Sequence, residues 1–313
     1  MKNELGDVYD LIIIGCGPAG LSAALTACYL KLKHIVLEAN IAGGAPIQAY
    51  PWKMVDSFLG FKDAKGSKVA KIMVEHVKKE GSEIKEGEEV KEIRKNKGVF
   101  EVLTEKNVYK ARCVLIATGT IGTPRKLGIK GEANVHVHYS IRDPSEFKGK
   151  TVIVVGGGDS AVEAALALKG CGADVTLIHR RDELRASEKN KEEIKRSGIE
   201  ILWNTELKEV IGDDKIEKVL LYNNKSGAVS QKKVSDVFIF IGSVLNTDFI
   251  KNLGIKMEEN KVLVDRDMKT SVDGVYAAGD ITGILKRIPE AIGEGHLAVY
   301  SIFKYLRQPY WAK

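Results

Sequence analysis

The run IIIGCGPAGLSAA places Gly15, Gly17 and Gly20 at a spacing that does chemistry. Glycines at G-x-G-x-x-G spacing let a backbone turn tightly, bring its N–H groups against a pyrophosphate, and pack the next helix close to the preceding strand. Pro18 suits the first position of that helix, where a missing N–H costs nothing, and Ala19 keeps its first turn slim. Glu38 closes the following apolar run HIVLE, where a carboxylate accepts hydrogen bonds from ribose hydroxyls. The pattern recurs in VVGGGDSAVEAAL, with Gly156, Gly158 and Ala161 in the glycine positions and Asp159 and Ser160 opening the helix. Here His179 takes the place of the acid, followed by Arg180, Arg181 and Arg185. An acid there repels a 2′-phosphate and arginines hold one. Two dinucleotide sites are therefore expected, the second for NADPH. Two charge-assisted contacts of roughly 1.5 kcal/mol each amount to about a hundredfold preference over NADH.

A third group is VHVHYSIRD, with His136, His138, Tyr139 and Arg142 close together. The two histidines face one side of a strand, but no third ligand stands near them in the sequence, and no metal is expected. The stretch reads as a connector; the alternative is that His138, Tyr139 or Arg142 lines the nicotinamide approach or docks a partner.

These residues need elements to position them. YDLIIIGCGPAGLSAALTACYLKLKHIVLE reads as strand, glycine turn, helix and strand, and KTVIVVGGGDSAVEAALALKGCGADVTLIH repeats the order. A third piece, GVYAAGDITGILKRIPEAIGEGHLAVYSIFKYL, reads as a strand ending at Gly279 and Asp280 and a helix opening at Pro289, with Ile292, Ala298, Ile302 and Leu306 on one face. The 313 residues suffice for roughly two domains, and 44% hydrophobic with 29% charged residues excludes a disordered chain. The net charge of +6 is dispersed, without the basic run that nucleic acid would require. The N-terminal apolar run is broken by glycines and proline and fits neither a signal peptide nor a membrane span, so a cytoplasmic location is expected. Cys16, Cys28, Cys113 and Cys171 show no C-x-x-C spacing and read as small buried hydrophobes.

Taken together, GCGPAG, LIATGT, VVGGGDSAVEAAL, HRRDELRAS and GVYAAGD resemble the low-molecular-weight thioredoxin reductases and their relatives over nearly the whole chain. The resemblance implies an α/β fold of the pyridine nucleotide-disulfide oxidoreductase class II type: an FAD domain, 1–120 and 245–313, with an NADPH domain, 121–244, inserted as a second Rossmann-like unit. It assigns FAD to Gly15, Gly17, Pro18, Ala19, Gly20, Glu38, Gly44, Gln48, Tyr50, Thr118, Gly119, Gly279, Asp280, Pro289, Glu290 and Ala291. The last three are expected to aim backbone N–H groups at the flavin, where the positive end of a helix stabilises the reduced anion by roughly 0.3 to 2 kcal/mol. Thioredoxin reductases carry a C-x-x-C pair before the second glycine loop; aligned back from KGK, those positions fall on Tyr139 and Arg142.

The run QAYPW is similar to ferredoxin:NADP reductases built on the same fold, in which Tyr50 would stack on the flavin. Tyr310 or Trp311 would give a short cover for the other face or, equally, pack on a dimer partner. The resulting expectation is an FAD enzyme exchanging electrons between NADPH and a ferredoxin, as a homodimer, with a basic surface steering an acidic partner. Competing with it are an NADPH oxidase or a quinone or flavin reductase of the same fold and, from another class, a non-catalytic nucleotide-sensing module.

Overall fold

The computed structural model describes residues 8–310 except 56, 121, 245 and 246. Trp311 and the two crossing positions 121 and 245 lie outside the described residues. The chain forms two compact units, one of Met1–Gly122 with Leu245–Lys313 and one of Thr123–Val244.

The first unit opens with β1 (Val8–Ile14), α1 (Pro18–Tyr29), β2 (His34–Glu38), α2 (Gly66–Lys79) and β3 (Ile84–Glu86). It continues through β4 (Val90–Asn96), β5 (Val99–Thr104) and β6 (Val108–Ile116). The sheet order is β3-β2-β1-β6-β5-β4. β3, β2, β1 and β6 run parallel, and β4 to β6 form an antiparallel meander. Leu11 and Ile13 point to one core and Ile12 and Ile14 to the other. A strand buried on both faces reads as a continuous apolar run, which is why LIII shows no alternation. A Cβ on Gly20 would collide with the Gly15 carbonyl, so only glycine lets α1 start this close to the end of β1.

The second unit holds β7 (Val137–His138), β8 (Thr151–Val155), α3 (Asp159–Gly170), β9 (Asp174–His179) and α4 (Glu188–Arg196). β10 (Glu200–Trp203), an antiparallel trio β11 (Thr205–Ile211), β12 (Lys218–Asn223) and β13 (Val229–Lys232), and β14 (Asp236–Ile239) complete it. Its main sheet is parallel in the order β7-β14-β8-β9-β10. The chain then returns to the first unit as β15 (Val275–Ala277) and α5 (Ile288–Arg307). β15 pairs in parallel with the second half of β6, whose first half carries β5. Ala298, Val299 and Ile302 of α5 join Ala23, Ala24 and Ala27 of α1 in one core, small residues that let the two helices approach. Among the described residues no helix is long and apolar enough to cross a membrane.

Candidate functional site

In the first unit the expected residues gather where β1, β2, β6 and β15 end. Gly17 caps α1, and Pro18 occupies its first turn. The Glu38 carboxylate binds the glycine loop directly, Oε2 accepting from Cys16 N at 2.8 Å and Oε1 from Asn40 N at 2.9 Å. Gln48 donates to the Ile41 carbonyl at 2.6 Å and reaches Glu38 Oε1 at 3.5 Å. Gly44 lies against Gly17. Ala117 N donates to Ile14 O at 2.7 Å, which sets Thr118 and Gly119 beside the loop. Tyr50 is 37% exposed, and Lys53 Nζ stands 5.5 Å from its ring centre.

The returning segment completes this edge. Ala278 N donates to Ile116 O at 3.0 Å, so Gly279 and Asp280 follow directly on the end of β6. Glu294, which sequence reading missed, accepts from Gly279 N at 2.7 Å and from the Thr282 hydroxyl at 3.2 Å. Its signal was present: Glu290 and Glu294 stand four apart near the start of an otherwise apolar helix and so share a face. Burial raises the pKa of both Glu294 and Asp280. The Thr120 hydroxyl donates to Asp280 only at 3.4 Å. Glu290 Oε2 is buried without a hydrogen-bond partner. Buried acceptors left this short of donors fit a ligand bringing hydroxyls and N–H groups, as FAD does.

One expectation needs correction. Of Pro289, Glu290 and Ala291, proline has no N–H, and Ala291 N donates to Arg287 O at 3.1 Å. Because α5 starts at Ile288, its unspent N–H groups in the first turn are those of Ile288 and Glu290.

In the second unit Gly158 caps α3, and Arg185 N donates to Gly157 O at 2.7 Å, drawing the arginine loop onto the glycine loop. Arg180, Arg181 and Arg185 are exposed, and no carboxylate among the described residues pairs with them. His179 behaves differently from its neighbours. Its ring lies under Gly157, where any Cβ would collide with it, and its Nε2 is buried without a partner. Burial foremost, with help from the three arginines, lowers its pKa, so the ring is neutral and supports the loop from below. Asp159 Oδ1 accepts from Ser187 N at 2.8 Å and Asn190 Nδ2 at 2.6 Å, tying the start of α3 to that of α4. Ser160 is exposed, while Ala161 packs into the core.

The connector is built more firmly than the sequence suggested. Glu132 accepts from the N–H groups of Leu127 and Gly128, both at 2.7 Å, and from the Tyr139 hydroxyl at 2.8 Å. Tyr139 is thereby committed to a turn, and Arg142 is exposed. His136 and His138, read as lacking a third ligand, both face Asp236 of β14. All four cysteines are free thiols. Cys16 and Cys113 are pushed up to about 12, chiefly by burial, and are inert as nucleophiles at neutral pH.

Residues 9–295 match the pyridine nucleotide-disulphide oxidoreductase family. A ferredoxin–NADP reductase from Ignicoccus hospitalis is 37% identical, with 96% of this chain and 99% of that protein covered. A thioredoxin reductase from Bacillus subtilis is also 37% identical, with 96% of each chain covered. The crystal structure of thioredoxin reductase from T. acidophilum superimposes with a TM-score of 0.88 at 34% identity, covering 96% of this chain and 99% of that one. With two glycine-loop units and this match along the whole fold, the chain belongs to the pyridine nucleotide-disulphide oxidoreductase family and is an FAD-dependent oxidoreductase of NADPH.

Proposed function

We propose that this enzyme exchanges electrons between NADPH and a ferredoxin, working as a cytoplasmic homodimer. One observation carries the reading: the two positions where thioredoxin reductases hold their redox cysteines are Tyr139 and Arg142, and the tyrosine is spent on Glu132. Without a dithiol, electrons must leave by another route. The similarity to a ferredoxin–NADP reductase along almost its full length supports that route. FAD held here would supply two-electron uptake from NADPH and release of single electrons, which suits an iron–sulfur acceptor.

In this reading the unit of residues 1–122 and 245–313 holds FAD and the unit of 123–244 holds NADPH. Gly15, Gly17 and Gly20 bring backbone N–H groups to the pyrophosphate, and Glu38 has acceptor capacity left for ribose hydroxyls. Asp280 accepts from a hydroxyl-bearing chain, and α5 presents its positive end to the flavin through Ile288 and Glu290. Tyr50 stacks on the ring. Arg180, Arg181 and Arg185 hold the 2′-phosphate of NADPH, with His179 beneath the loop and Gly156 and Gly158 against the pyrophosphate.

The net charge of +6 favours an acidic partner. Ferredoxin reduction measured against ionic strength tests the docking. The rate falls as salt rises if charge steers the encounter, and a salt-independent rate contradicts it. Rapid peroxide formation with NADPH alone, unaffected by ferredoxin, would instead indicate an oxidase.

A further inference from the structure

His136 and His138 flank Val137, which is buried in the core of the second unit, so both imidazoles face the opposite side. Asp236 opens the neighbouring strand β14, and its Oδ1 lies 2.8 Å from His138 Nε2 and 3.4 Å from His136 Nδ1. One ligand atom from each of the three residues falls within 4.8 Å of the others. Asp236 is 1% exposed, whereas the histidine side chains are 33% and 26% exposed, so the cluster opens to solvent on the imidazole side. The His138 ring is already oriented, stacked on Phe238 at 4.8 Å and edge-on to Phe147 at 5.3 Å.

We propose that His136, His138 and Asp236 bind a divalent first-row transition-metal ion such as zinc. Two imidazole nitrogens and a carboxylate oxygen suit such an ion and not calcium or magnesium, which require oxygen ligands. At bond lengths of about 2.0–2.2 Å, ligand atoms around a tetrahedral ion stand about 3.4 Å apart. The His136–Asp236 separation already matches, the His138–Asp236 pair opens by roughly 0.6 Å as the metal replaces the proton between them, and the two imidazole nitrogens, within 4.8 Å of each other, close to that spacing. That proton passes to solvent, and water fills the fourth position. The ion ties β7, a two-residue edge strand, to β14 beside it.

Lys150 opposes this. Its Nζ lies 3.3 Å from Asp236 Oδ2, and an ammonium repels a dication. Its side chain is 39% exposed and can turn to water, so it weakens the site without closing it.

The test uses the full-length, flavin-loaded protein, free of any affinity tag and stripped with chelator, titrated with cobalt(II). The expected result is one equivalent bound, with tetrahedral cobalt absorption at wavelengths beyond the flavin bands and displacement by zinc. His136→Ala, a partly exposed position, weakens binding at least about tenfold, since even outer-shell losses cost that much. Lys150→Ala tightens it severalfold. Circular dichroism and flavin content confirm that both variants are folded. Absence of a stoichiometric site, affinity unchanged in His136→Ala, or affinity lowered in Lys150→Ala would overturn the assignment and leave the cluster as hydrogen bonding alone.

Discussion

The Tyr139 hydroxyl donates to Glu132 Oε1 across 2.8 Å, at a position to which the resemblance to thioredoxin reductases would assign a redox cysteine. The pair holds the turn of residues 127–139 together. Tyr139→Phe removes a hydrogen bond to a charged acceptor and is expected to lower stability by about 1.5 kcal/mol while leaving turnover with NADPH unchanged. Denaturant melts and steady-state rates check this. A tenfold fall in turnover at unchanged stability would make Tyr139 a catalytic residue instead.

The same carboxylate sets a pH dependence. Burial alone would raise the Glu132 pKa, but the Leu127 N–H, the Tyr139 hydroxyl and the neighbouring N–H groups outweigh it and hold the value below the usual 4.5. A depressed pKa contributes stability that is complete above 4.5 and is lost as pH falls through the lower folded value. The stability gap between the wild type and Glu132→Gln should therefore be constant at neutral pH and shrink as the medium is acidified below that point. A gap that widens with acid contradicts the assignment.

Replacing Arg180 and Arg181 together by alanine should raise the KM for NADPH about a hundredfold and barely move that for NADH. Parallel titrations with both nucleotides decide it, and equal effects on the two would remove the 2′-phosphate from this loop.

Glu294 offers a sharper contrast. Glu294→Ala leaves Gly279 N unpaired, at a cost of about 1–3 kcal/mol, at the turn beside Asp280, while the Thr282 hydroxyl keeps the Gly279 carbonyl at 2.9 Å. Glu294→Gln keeps an acceptor oxygen. The alanine variant should purify with less flavin per chain, and the glutamine variant should match the wild type in its flavin-to-protein absorbance ratio. Equal flavin in both variants would separate Glu294 from the cofactor.

The parts of this molecule legible in the sequence are those written within one stretch of chain. Gly15, Gly17, Gly20 and Glu38 belong to a single strand–helix–strand unit, and Arg180, Arg181 and Arg185 to one loop, so spacing alone exposes them. Contacts across parallel strands are not legible in this way. Asp236 is 98 residues from His138, and only the pairing of β7 with β14 brings them together. Apolar side chains do not all mark the core: on α2 Ile72 is 42% exposed, while Ala70 is fully buried. His179 aligned with Glu38 by position, but the collision that any Cβ on Gly157 would make with its ring shows a support under the loop, which no spacing conveys.

The most direct test of the central claim is anaerobic: bleach the flavin with NADPH, add a purified ferredoxin, and follow its absorbance beside a thioredoxin control. Rapid ferredoxin reduction with no thioredoxin turnover is the predicted result. Reduction of thioredoxin, or a bleached flavin that reduces neither protein, would contradict it.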